Sequence, residues 1–270
     1  RRRLRRVRRR IKRRRRGEPG LLGEYYMARI VKKPEDIFPE ITRQFQGVFG
    51  KDLQSMVLYG SGASAAYAPG QSDLNFLVII AEEGMRNLKR LHDLIGGWQK
   101  RRITPPLIMS KAFLANALDV YPIEFLTMQA QHVSVYGDDP LSALTFDRTC
   151  MRLQLEREIK GKLLHLRQGY LDSEGQAKKL RNLIKISFVA FLSLFAAILY
   201  LKGKSIPSAR HALIRDACSL TGIDGDVFIR CLEIKEETSK HDSKMVVSLF
   251  DQYLGEIVKM DCFVDRLKAE

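Results

Sequence analysis

Residues 58–80, LYGSGASAAYAPGQSDLNFLVII, carry the side chains of this chain best placed to do chemistry. Gly60 and Gly62 would let a ligand approach the backbone with no Cβ in the way. If the small residues after Gly60-Ser61 open a helix, its first amides suit a phosphate. Asp73 follows Ser61 by twelve positions and opens an expected strand over 73–80. Alternate side chains of a strand share a face, so Asp73 and Asn75 are expected side by side. A polar pair at the mouth of a strand is where oxygen ligands for Mg²⁺ would stand. The chemistry implied is the holding of a phosphate group beside a divalent cation.

The elements that must position these residues follow from periodicity. Ile37, Phe38, Ile41, Phe45, Val48 and Phe49 recur at helical spacing over 34–49, and Gly50 ends the pattern. Residues 54–59 (QSMVLY) and 73–80 (DLNFLVII) read as buried strands, 106–109 as a short third strand, and 121–128 (YPIEFLTM) as a fourth. An amphipathic helix with Met85, Leu88, Leu91, Leu94, Ile95 and Trp98 separates the second and third. After Pro140 the strand signal stops. A stripe of Leu155, Ile159, Leu163, Leu166 and Tyr170, the apolar run 186–201, and residues 208–221 and 242–267 read as helices. The expected class is α+β: a mixed sheet with helices over 34–140, then an all-α bundle over 148–270.

The segment 58–80 resembles the nucleotidyltransferase superfamily, which includes DNA polymerase β and the aminoglycoside nucleotidyltransferases. Its signature is a strand, Gly-Ser, a variable stretch and Asp-x-Asp on the next strand, with a third carboxylate from a later strand. Gly60, Ser61 and Asp73 match, and Glu124 sits in the sequence where the third carboxylate would come. The resemblance implies that Gly60, Ser61 and Gly62 bind the phosphates of an NTP. It further implies that Asp73, position 75 and Glu124 hold Mg²⁺ or Mn²⁺, with Asp73 and Glu124 catalytic. The implied reaction moves a nucleoside monophosphate onto a small-molecule or protein acceptor, with Glu124 as a metal ligand or as base toward the acceptor hydroxyl. The chain departs from the pattern twice. Position 75 is Asn, and an amide does not offset the charge of two cations as a bridging carboxylate does. Ser64-Ala65-Ala66 stands where many relatives carry a basic residue. The alternative reading is a catalytically degenerate nucleotide-binding or antitoxin-like interaction protein.

The net charge of +15 suggests nucleic acid until its distribution is read. Residues 1–16 (RRRLRRVRRRIKRRRR) hold 13 basic residues, which leaves +2 for the other 254. The folded part is therefore nearly neutral. Residues 1–23 are expected as a basic arm without fixed structure, either a passive extension or an RNA-binding tail. The 16-residue apolar run 186–201 falls short of the roughly 20 residues of a membrane span, so a buried central helix is expected and no membrane partner. Cys150, Cys218, Cys231 and Cys262 form no C-x-x-C pair and read as reduced thiols of a cytoplasmic protein. Lys178, Lys179, Arg181 and Lys185 read as a solvated helix face, with the lining of a phosphate-bearing cleft as the alternative, and Asp138-Asp139-Pro140 as a turn.

Overall fold

The computed structural model describes residues 30–64 and 67–268. The basic arm lies outside them, as do Ala65 and Ala66 of the Gly-Ser loop. A single turn of 3₁₀ helix, Pro34–Ile37, leads into α1, Phe38–Phe49. Two prolines at the start suit a helix entry, where the missing N–H groups would have had no partner. Strand β1, Leu53–Tyr59, runs to a four-residue 3₁₀ turn, Gly60–Ala63, and β2 follows at Asn75–Ile80. A 3₁₀ stretch, Glu82–Leu91, continues as α2, His92–Lys100, and then β3, Leu107–Met109. Two short helices, α3 Lys111–Asn116 and α4 Pro122–Ala130, precede β4, His132–Gly137. Five helices complete the chain: α5 Arg148–Ser173, α6 Ala177–Leu201, α7 Arg210–Thr221, α8 Gly225–Glu236 and α9 Ser243–Asp265.

The sheet order is β3-β2-β1-β4. β1 runs antiparallel to β2 and β4, and β2 runs parallel to β3, so the sheet is mixed as expected. Both of its faces are covered. Met56, Leu58, Phe76, Val78 and Ile80 pack with Ile41, Phe45 and Trp98 on the side of α1 and α2. Val57, Leu77 and Ile79 point the other way, into a core that runs without a break through α4, α5 and α6 to α9. Two-sided burial is why residues 76–80 are apolar in succession rather than in alternation.

Residues 121–128 correct the expectation of a fourth strand, because Pro122–Ala130 is α4. Its buried residues Pro122, Ile123, Phe125, Leu126 and Met128 include i, i+3 and i+4 pairs that fit one helix face, and Pro122 fits the first helical turn. A short apolar run satisfies both periods, and here the helix wins. The strand at the sheet edge is instead His132–Gly137, which pairs with β1 from Tyr59↔His132 to Ser55↔Gly137.

Helix α6 is long and apolar enough to cross a membrane by length and composition, with a mean hydropathy of 2.2 over its most apolar window. It packs against α4, α5, α7, α8 and α9. Burial is not all round, since Ile186 and Val189 are exposed. The basic face at its start is ion-paired locally: Lys179 with Glu174 at 3.1 Å, Lys185 with Glu237, and Arg181 donating to the carbonyl of His241. Asp147, Asp224 and Asp242 cap α5, α8 and α9 by accepting from backbone N–H groups of Cys150, Asp226 and Met245. All four cysteines are free thiols, with Cys218 and Cys231 buried.

Candidate nucleotide-binding site

Gly60 closes β1 with φ at +72°, a backbone conformation that a side chain would strain. Its N–H donates to the carbonyl of Gln131 at 3.0 Å, so the Gly-Ser turn is tied to the residue just before β4. The side chain of Gln131 in turn donates to the carbonyl of Ser208, in the connection between α6 and α7. The helical half of the chain thus reaches the mouth of the sheet at this point.

The turn differs from the expected short helix. Only four residues, Gly60–Ala63, form a 3₁₀ turn, closed by Ser64, whose N–H and hydroxyl both donate to the carbonyl of Ser61. It is too short to act through a helix dipole. Gly62 is buried, and a Cβ there would lie 2.9 Å from Cδ2 of Leu74 and 3.3 Å from Leu58. Packing beneath the turn accounts for this glycine. Gly60 is the one that faces the polar residues: a Cβ on it would sit 3.7 Å from Nδ2 of Asn75.

Asp73 precedes β2, and Leu74 makes an isolated parallel bridge with Ile103. Leu74 and Ile103 are both buried in the core beneath α1. Their flanking residues meet in pairs. Asp73 forms a 2.9 Å ion pair with Nη2 of Arg102, and Oδ1 of Asn75 accepts from the hydroxyl of Thr104 at 2.9 Å. Asp73 and Arg102 are each nearly half exposed. Arg102 itself holds a left-handed backbone, φ +60°, just past the end of α2. Its carbonyl accepts from Leu74 and its N–H donates to Gln99.

Glu124 lies on α4 rather than on a strand of the sheet. Its Oε2 accepts from Nε2 of Gln154 at 2.6 Å, and Oε1 of that buried Gln154 accepts from the N–H of Ile123 at 2.9 Å. Glu124 therefore fastens α4 to α5. Replacing Glu124 with Gln keeps an acceptor for Gln154 and is expected to leave the melting temperature nearly unchanged. Glu124→Leu strands a buried amide and should cost about 1–3 kcal/mol in chemical denaturation. A Glu124→Gln variant that lost metal-dependent nucleotide binding would instead return this carboxylate to the site.

The strands beside β1 and β2 offer no replacement. Residues 103–109 (ITPPLIM) and 132–137 (HVSVYG) contain no Asp or Glu. Among the described residues, no group of three or more His, Cys, Asp or Glu could hold a metal ion. Among the described residues, the mouth holds Asp73, already paired with a guanidinium, and Asn75, whose oxygen is already engaged. This donor set does not fit a pair of divalent cations, whose mutual repulsion needs bridging carboxylates to offset it.

Two ionisable groups on adjoining segments, Asp139 and Tyr67, are shifted from their usual range. Asp139 accepts from the ring of His132 at 2.8 Å and from the N–H of Leu141. Burial raises the Asp139 carboxyl, but these bonds outweigh it and hold the group below its usual range. The hydroxyl of Tyr67 donates to the carbonyl of Val31 at 2.8 Å. Burial pushes that phenol up, while the charge of Arg102 works against the shift.

The sequence pattern singles out Gly60, Ser61, Gly62, Asp73, Asn75 and Glu124 but does not mark Arg102, Thr104, Gln131 or Gln154. Nothing local marks these four, because each acts through a partner at least 29 positions away.

No family profile matches the sequence, and no curated protein does. Among solved structures, the chain is similar to spectinomycin adenyltransferase AAD(9) from Enterococcus faecialis, determined with ATP and spectinomycin. The two share 12% identity and a TM-score of 0.52 over 86% of this chain and 99% of that one. This likeness is to a whole chain, so it takes in the helices after the sheet as well as the sheet. The protein has a nucleotidyltransferase-like α+β fold: a mixed four-stranded sheet with helices, followed by a helical region.

Proposed function

We propose that this chain is a nucleotide-binding protein built on a nucleotidyltransferase-like fold, and that nucleotidyl transfer by it is slow or absent. The observation that carries this reading is the state of Asp73 and Asn75: the first is ion-paired with Arg102 and the second is bonded to Thr104. Two-metal transfer needs carboxylates that align an acceptor oxygen with the α-phosphate, and these side chains are committed to the protein. Nucleotide binding asks for less. It needs a turn that admits a phosphate and donors around it, and Gly60-Ser61 beside the Asn75 amide supplies both. The similar adenyltransferase, solved with ATP, supports a nucleoside triphosphate as the ligand class. Its spectinomycin supports a small molecule as the second ligand if any transfer remains.

The test is calorimetry with ATP, paired with a transfer assay that follows the α-phosphate label under single-turnover conditions. We expect saturable binding and no label leaving the nucleotide above background. Rapid labelling of any acceptor in the presence of Mg²⁺ would overturn the reading, and so would the absence of ATP binding.

A further inference from the structure

We propose that Arg102 is the resident cation of this site: its guanidinium bridges Asp73 to a phosphate of the nucleotide, so that the chain binds a nucleoside triphosphate without a metal ion. The inference rests on the nucleotide-binding reading above and deepens it. A metal in such a site has carboxylate oxygen on one side and phosphate oxygen on the other. Arg102 already has the carboxylate side, at 2.9 Å from Oδ1 of Asp73. A guanidinium carries five N–H donors in a planar fork, which lets it hold a carboxylate along one edge and phosphate oxygens along another. It is also nearly half exposed at the surface, where an incoming anion can reach it.

The polarity of the mouth agrees. With its oxygen bonded to Thr104, Asn75 turns its Nδ2 toward Gly60. Asn75 thus offers an N–H donor beside Gly60, and the guanidinium of Arg102 stands against Asp73, two residues before Asn75. Donors fit an anion, whereas a cation needs oxygens. An Asp at position 75 could not make this arrangement, since a carboxylate has no donor to turn outward. The substitution that weakens a metal site is therefore the one that completes a metal-free phosphate site.

The backbone agrees as well. Position 102 takes a left-handed conformation at the end of a helix, where glycine or asparagine is usual. Glu174 and Glu237 do the same at other helix ends, but Arg102 is the one of the three whose side chain reaches the candidate site. In this conformation the carbonyl of Arg102 accepts from the N–H of Leu74, and its guanidinium pairs with the adjacent Asp73. A single positive charge cannot offset a triphosphate as two divalent ions would, which is consistent with binding in the absence of fast transfer.

The experiment is calorimetry of ATP, and separately of inorganic tripolyphosphate, with the wild-type chain, Arg102→Gln and Arg102→Gly. Each is measured in excess EDTA and again in excess Mg²⁺. We expect wild-type binding in EDTA within about threefold of that in Mg²⁺. Either variant should weaken it by about tenfold or more, the loss of a charge-assisted bond. Arg102→Gly relieves the left-handed strain, so its melting temperature should not fall, which separates lost binding from lost folding. Wild-type binding that appears only with Mg²⁺ would overturn the inference and leave the nucleotide reading standing. Binding in neither condition would overturn both. Variants that bind in EDTA as the wild type does would remove Arg102 from the site.

Discussion

Phe228→Ala is expected to destabilise the chain by about 3–5 kcal/mol, the range for emptying a buried aromatic site. Phe228 is fully buried on α8. Its ring stands edge-on to Phe195 of α6 at 5.0 Å and to Tyr253 of α9 at 5.6 Å, and it tilts against Phe191 at 6.4 Å. Three helices meet in this knot, so its cavity has walls on every side and little freedom to collapse. Edge-to-face pairs add about 0.5–1.5 kcal/mol each beyond the area they bury, and the variant loses two of them. The same core continues to Leu77 and Ile79 of the sheet. Denaturant unfolding should therefore show one transition, shifted to lower denaturant, by probes of helix and of tertiary structure alike. A loss below about 1 kcal/mol would mean that α8 is not docked as described.

Gly137→Ala should be nearly as damaging, for a different reason. Gly137 ends β4 with φ at +70°, and a Cβ there would fall 2.0 Å from the carbonyl oxygen of Gln54. That atom is backbone of the central strand β1 and cannot swing aside. The variant must break the Ser55↔Gly137 pairing or bend the strand, at a cost of about 3 kcal/mol or more. Gly222→Ala is the control. Its φ is also +70°, but nothing lies within 4 Å of its added Cβ, so only the backbone cost of about 1–2 kcal/mol applies. Thermal melts of the two variants side by side check the difference, and equal losses would discard the clash. The consequence reaches the site, because the residue before β4, Gln131, holds the N–H of Gly60. A displaced β4 should weaken ATP binding in Gly137→Ala, whereas Gly222→Ala should leave it unchanged.

The sequence by itself determined the pieces whose cause is local. β1 and β2 follow from β-branched and aliphatic runs, and the long helices from stripes repeating at three and four residues. Gly60 and Asn75 come together because the strands that carry them are antiparallel neighbours in register, Tyr59 opposite Asn75. The tertiary structure decided what local pattern leaves open. YPIEFLTM satisfies both a strand and a helix, and docking against α5 through Gln154 and against α6 makes it a helix. That choice moves Glu124 off the sheet and gives β4 to HVSVYG. Asp73 and Asn75 are legible as residues, but their partners Arg102 and Thr104 come from a segment 29 positions on, brought alongside by the Leu74↔Ile103 bridge. Periodicity records which face of an element is buried, not which element covers it or which charge stands opposite. The pairing of Asp73 with Arg102 and of Asn75 with Thr104 is set by those contacts between distant segments.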